Sequence, residues 1–181
     1  MNRSELAQAI REHAYLEGDF VLRSGRHSKY YLDKYRFETR PDLLAAIGEE
    51  MAARVRREEP GVDRLAGPEL GAVALAAAAA LASGLPFLIV RKQHKEYGTE
   101  RLLEGVYEPG ETVCLVEDVV TTGGAAADAV RALRDAGLAC RTAICVVDRE
   151  EGGTEGLAEV GVRLVSLYRA SDLVAFVPSG G

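Results

Sequence analysis

The chain has 181 residues, of which 48% are apolar and 28% charged, and its net charge is −6. That length suits one domain with a sizeable core, and so large an apolar share excludes a disordered chain. An acidic balance with no dense basic cluster argues against nucleic-acid binding. The polar start has no signal-peptide core behind it, and the apolar run 72–85 is too short and alanine-rich to span a bilayer. Cys114, Cys140 and Cys145 are spaced neither as a zinc site nor as a redox pair. Cys114 and Cys145 fall in expected buried strands, so they read as reduced core thiols of a cytoplasmic protein.

Asn2 and Glu5 can cap a first helix whose apolar stripe is Leu6, Ala9, Ile10 and either His13 or Ala14. Two strand-like pieces within 18–33 flank Ser24-Gly25, so this stretch is a hairpin or hood. It crowds Arg23, Arg26, His27 and Lys29 beside Tyr30 and Tyr31. That suits an aromatic wall near an anion, although a solvated edge hairpin has the same composition. Thr39 and Asp42 are expected to cap a long helix with Leu44, Ile47, Met51 and Val55 on one face, ended by Glu58-Glu59-Pro60-Gly61. Leu65-Ala66 is a short strand. The turn Gly67-Pro68-Glu69-Leu70-Gly71 either offers N–H groups to an anion or simply joins strand to helix. The next helix ends near Gly84, and 87–90 is a buried strand. The segment 91–105 is too polar for core and long for a loop without function. Its cations Arg91, Lys92 and Lys95 follow a core strand, where they can clamp a polyanion.

Residues 113–125 carry the central motif. An apolar run, Val113-Cys114-Leu115-Val116, stops at Glu117-Asp118 and is followed by Val119-Val120 and Thr121-Thr122-Gly123-Gly124-Ala125. A helix follows over 125–133. Strand, polar turn, helix places a ligand at the carboxyl edge of an α/β sheet. The glycines admit an anion close to backbone N–H groups at a helix start, and Thr121 and Thr122 add hydroxyl donors. No lysine follows, so this is not a triphosphate loop, and a phosphate monoester is expected. Glu117 and Asp118 would repel phosphate; they suit neighbouring hydroxyl groups or a metal held nearby. A phosphate at one end and a diol at the other describes a ribose 5-phosphate. The plain alternative is a packing Gly-Gly with a solvated acid pair.

After Asp135-Ala136-Gly137, a strand over 142–147 leads to Asp148-Arg149. An arginine there can fork onto a carboxylate or close a turn salt bridge. A short helix, a strand over 162–167 and a tail close the chain. Alternating strands and helices mean an α/β domain with a mainly parallel, doubly wound sheet and helices on both faces.

The 113–125 string resembles the diphosphoribosyl-binding signature of the type I phosphoribosyltransferases, with Ala125 where many members carry Ser or Thr. Three further motifs resemble the orotate phosphoribosyltransferases among them. Ser24-Gly25-x-x-Ser28-x-Tyr30-Tyr31 is similar to their amino-terminal hood. Arg91-Lys92-x-x-Lys95-x-x-Gly98 with Glu104-Gly105 is similar to their catalytic loop, and Asp148-Arg149 matches their Asp-Arg pair. The resemblance covers about residues 4–170. It implies a type I phosphoribosyltransferase-like fold in one domain: helix and hood over 1–38, core over 39–170 and tail over 171–181. It implies transfer of a phosphoribosyl group from 5-phosphoribosyl 1-diphosphate (PRPP) to orotate, in pyrimidine biosynthesis.

By the same resemblance Tyr31 and Leu32 flank the orotate ring, Thr121 adjoins it and Arg149 pairs with its carboxylate. Arg23 stands where some members have a lysine that reaches PRPP, Gly71 where some have another lysine, and Tyr97 where many have histidine. Arg91, Lys92 and Lys95 reach the diphosphate in a neighbouring subunit, which implies a homodimer sharing loop 91–105. Glu117 and Asp118 hold the ribose hydroxyls, and Val119 and Val120 lead into the phosphate loop 121–125. Lys95, Glu117 and Asp118 are the expected catalytic residues. Mg²⁺ is expected on PRPP near Glu117 and Asp118, with no direct protein ligand. A transferase for another base, or a non-catalytic PRPP sensor, are the alternatives.

Overall fold

The computed structural model describes residues 1–21, 25, 27–92 and 102–175. Helix α1 (Arg3–Ala14) begins with a capping box: the Glu5 N–H donates to the Asn2 side chain, and the Asn2 N–H donates to the Glu5 carboxylate. It buries Leu6, Ala7, Ile10 and Ala14, so Ala14 and not His13 takes the inner position. Strands β1 (Tyr15–Val21) and β2 (His27–Leu32) form a separate antiparallel hairpin, with Tyr15 opposite Leu32. A single turn, α2 (Tyr35–Glu38), follows, which the sequence did not suggest.

Helix α3 (Pro41–Glu58) is not capped by Thr39 or Asp42. The Thr39 hydroxyl donates to the Tyr35 carbonyl, and Asp42 accepts from Arg40. Pro41 marks the start instead, since its fixed φ suits a first helical position. The buried row is Leu43, Ile47, Met51 and Val55, with Leu44 only partly covered.

The main sheet comprises β3 (Arg64–Pro68), β4 (Phe87–Val90), β5 (Leu103–Glu104), β6 (Thr112–Val120), β7 (Ala139–Asp148) and β8 (Arg163–Arg169). Its order is β5-β4-β3-β6-β7-β8, parallel except for β5. Helix α4 (Gly71–Ser83) joins β3 to β4, α5 (Gly124–Asp135) joins β6 to β7, and α6 (Gly153–Glu159) joins β7 to β8. Side chains alternate along β6. Cys114 and Val116 enter the core beneath α1, α3 and α4; Val113 and Leu115 enter the core beneath α5. All three cysteines are free and buried, and burial pushes their thiols up, to about 11 for Cys140.

Two expectations need correction. Strand β6 does not stop at the acids. It runs through Glu117 and Asp118 to Val120, in register with β7 as far as Asp148, because ladder bonds use the backbone whatever the side chain. Nor does a tail begin at 171, because α7 (Ala170–Ala175) buries Leu173 and the Ser171 N–H donates to Glu150. Among the described residues no helix is long and apolar enough to cross a membrane.

Candidate active site

From β3 the chain steps outward to β4 on one side, and from β6 it steps outward to β7 and β8 on the other. The carboxyl ends of β3 and β6 therefore flank the switch point of the sheet, where an open α/β fold leaves a crevice. The turn after β3, the loop after β6, the end of β7 and the hairpin all supply the residues singled out above.

The loop after β6 is built to present donors. Thr121, Thr122, Gly124 and Ala125 are exposed, and Gly123 holds φ +82°, a left-handed conformation that turns the chain into α5. Below it, α6 comes unusually close. A Cβ on Gly156 would lie 2.4 Å from the Thr122 carbonyl oxygen, and one on Gly153 would lie 2.5 Å from Val120 Cγ1. These two glycines let α6 buttress the loop. Sequence reasoning singled out neither of them. Val120 is buried and Val119 packs against the core, so their side chains brace the loop from within.

Glu117 and Asp118 are both buried. Asp118 Oδ2 forms an ion pair with Lys34 Nζ, and Oδ1 accepts the Val119 N–H. Glu38, 4% exposed, belongs to the same cluster, and its Oε1 has no hydrogen-bond partner among the described residues. Burial and then the Asp118 charge push Glu38 up to about 8, and the same two causes push Glu117 to about 8. Burial pulls Lys34 down, but its hydrogen bond to Asp118 together with the charges of Asp118 and Glu38 outweighs that, and the net shift is upward. At neutral pH Glu38 and Glu117 therefore hold protons, and the Lys34 ammonium lies paired on Asp118. The sequence hinted at Lys34 and Glu38 only through their four-residue spacing, which aligns side chains on one helical face.

On the far side of the loop, the Arg149 backbone N–H donates to the Val120 carbonyl (2.9 Å), tying β7 to the end of β6. Its guanidinium bonds Glu151 (3.0 Å) and lies over the Tyr30 ring, while Nε is buried without a partner among the described residues. Tyr30 in turn stacks on Tyr15, centroids 5.1 Å apart. Tyr31 faces the other way, exposed and against Phe20, and Leu32 lies in the core. Strand alternation explains the split: positions 30 and 32 share a face of β2 and position 31 does not.

Arg91 and Lys92 leave β4 beside the turn after β3, where the Glu69–Leu70 peptide is cis and the Lys92 N–H donates to Glu69 (2.6 Å). The Arg91 N–H donates to the Leu102 carbonyl, and β5 pairs with β4, so both ends of this segment are fixed at one place. Lys92 lies near enough to lower Glu117, as one of the smaller influences on it. Arg23, Lys95 and Tyr97 lie outside the described residues. Among the described residues no three His, Cys, Asp or Glu side chains are placed to hold a metal ion.

Residues 38–159 match the family model described as "Phosphoribosyl transferase domain". The orotate phosphoribosyltransferase of Methanocella arvoryzae is 48% identical over 176 residues, 97% of this chain and 99% of that one. The crystal structure of the orotate phosphoribosyltransferase from Aeropyrum pernix is similar at TM-score 0.85 and 34% identity, over 97% of this chain and 99% of that one. That of the Mycobacterium tuberculosis enzyme in complex with PRPP is similar at TM-score 0.80 and 33% identity, over 95% and 98%.

Proposed function

The chain belongs to the orotate phosphoribosyltransferases, and on that premise we propose which of its residues carry the transfer of a phosphoribosyl group from PRPP to orotate. The products are orotidine 5′-phosphate and diphosphate. One observation supports the assignment most: a donor loop, an acid cluster and a buried arginine over an aromatic ring converge on the switch point.

The 5′-phosphate sits on the N–H groups and hydroxyls of 121–125 at the start of α5, which carries a positive partial charge. Asp118 and Glu117 take the ribose hydroxyls: an ionised carboxylate accepts, and a protonated one both donates and accepts. As diphosphate departs, positive character grows at the anomeric carbon, so the main task is to stabilise the leaving anion. Arg91, Lys92 and Lys95 serve that end, with Arg23 and Tyr97 as further donors. A Mg²⁺ carried on the PRPP diphosphate, ligated by diphosphate oxygens and water and with no direct protein ligand, would lie near Glu117 and Asp118. Bound there, the ion would neutralise diphosphate charge.

Orotate brings its own carboxylate, and Arg149 is the cation at the right edge of the sheet. Its Nε, without a partner among the described residues, leaves donor capacity for that group. Thr121 adjoins the base, Tyr30 lies beneath the guanidinium, and Leu32 anchors the strand that presents Tyr30 and Tyr31. The orotate ring loses its proton readily, so no protein base is assigned. We further propose a cytoplasmic homodimer in which segment 91–105 of one subunit serves the other. Free buried thiols suit a reducing compartment.

Incubation with Mg²⁺, PRPP and one of orotate, adenine or hypoxanthine tests the reading. Diphosphate should be released with orotate alone, together with orotidine 5′-phosphate. Release with a purine but not orotate would overturn the base assignment. PRPP binding without turnover of any base would mark a sensor.

A further inference from the structure

Lys34 belongs to none of the sequence motifs, yet it makes the ion pair that fixes Asp118, one of the buried acids of the site. It sits just before the single turn of α2, and its ammonium reaches Asp118, 84 residues further along the chain. The Lys34 side chain is 32% exposed and that of Asp118 only 6%, so the ammonium closes over the carboxylate from the open side. The pair lies against the first residue of α4. A Cβ on Gly71 would fall 2.0 Å from Asp118 Oδ2 and 2.9 Å from Lys34 Nζ. The volume that a side chain at position 71 would fill is thus taken by the ion pair. Glu38, four residues after Lys34 and almost fully buried, closes the cluster from behind.

We infer that Lys34 is a positioning residue of the phosphoribosyl site, holding the Asp118 carboxylate ready for the ribose hydroxyls, and that position 71 is glycine because this pair needs its space. Three carboxyl groups crowd the end of β6, namely Glu38, Glu117 and Asp118. Like charges so close repel, so a counter-charge decides which carboxylate is held in place. Lys34 gives that role to Asp118 and fixes the orientation of its oxygens. A neutral side chain at 34 would leave the Asp118 carboxylate free to swing away, and the phosphate loop would be untouched. The inference rests on the reading of Asp118 as a ribose anchor.

The test compares ribose 5-phosphate with inorganic phosphate as competitors of PRPP in the presence of Mg²⁺. Both use the 121–125 loop, and only the first needs the acids. Wild-type protein should bind ribose 5-phosphate more tightly than phosphate; no difference would sink the ribose-anchor reading and this inference with it. If wild type discriminates, Lys34→Met should raise the inhibition constant of ribose 5-phosphate about tenfold, leaving phosphate within about twofold, because one charge-assisted contact is lost. Lys34→Arg should recover most of the loss. Gly71→Ala keeps Lys34 but crowds Asp118, so it should show the same selective weakening, and it decides the matter if Lys34→Met does not fold. Equal weakening of both competitors, or none in either variant, would overturn the proposal.

Discussion

The Arg149 guanidinium carbon lies 5.0 Å from the centre of the Tyr30 ring. Tyr15 stacks on Tyr30 with the rings 19° from parallel, so hairpin and sheet meet through a column of tyrosine, tyrosine and arginine. A cation held over a ring face gains roughly 0.5–2 kcal/mol, more as water is excluded. Tyr30→Leu should therefore loosen Arg149 and raise the orotate KM about twofold to thirtyfold, by that energy. Tyr31→Leu should have the smaller effect, since Tyr31 packs on Phe20 away from Arg149. Steady-state kinetics on both variants decides; a larger loss from Tyr31→Leu would reverse the assignment.

Stability should fall as pH rises through the neutral range. Glu38 and Glu117 ionise near 4.5 in the unfolded chain and near 8 when folded. Between those values the folded state binds more protons, so their contribution is complete below about 4.5 and lost by about 8. Glu38→Gln cannot ionise and should flatten the slope, gaining roughly 1–3 kcal/mol over wild type at pH 8 relative to pH 5.5. Urea unfolding at the two pH values measures this. An unchanged slope would mean that Glu38 already ionises at pH 5.5.

The sharing of segment 91–105 can be tested by subunit exchange. Lys95→Ala should be nearly inactive through loss of a cation on the leaving diphosphate, and Asp118→Ala weak through lost ribose anchoring. A mixed dimer has one site with both defects and one with neither. Statistical exchange makes half the dimers mixed, so activity should recover to roughly a quarter of wild type. If mass spectrometry shows exchange and activity stays at parental levels, each segment serves its own subunit.

Much of this was legible in the sequence, and for identifiable reasons. The apolar β-branched run of β6 and the Thr-Thr-Gly-Gly turn name their own structure, because side-chain pattern and turn chemistry are local. Arg149 was legible from its place at a strand end. Lys34, Glu38 and Gly156 were not. Each matters through a contact with a residue far along the chain, and each looks locally like an ordinary turn or helix position. Leu43 in place of Leu44 is a one-residue phase error, and periodicity left His13 and Ala14 open as alternatives until helix packing chose Ala14. The cap assigned to Thr39 failed because an unforeseen turn, α2, took its hydroxyl.

The most direct test of the account is the pair of substrate KM values for Arg149→Ala. If the guanidinium receives the orotate carboxylate, the orotate KM should rise by about 2–4 kcal/mol of lost binding, as for a buried charge-assisted pair. The PRPP KM should stay within about twofold, since Arg149 touches neither the loop donors nor the acid cluster. Equal weakening of both substrates, or an unchanged orotate KM, would contradict the base site described.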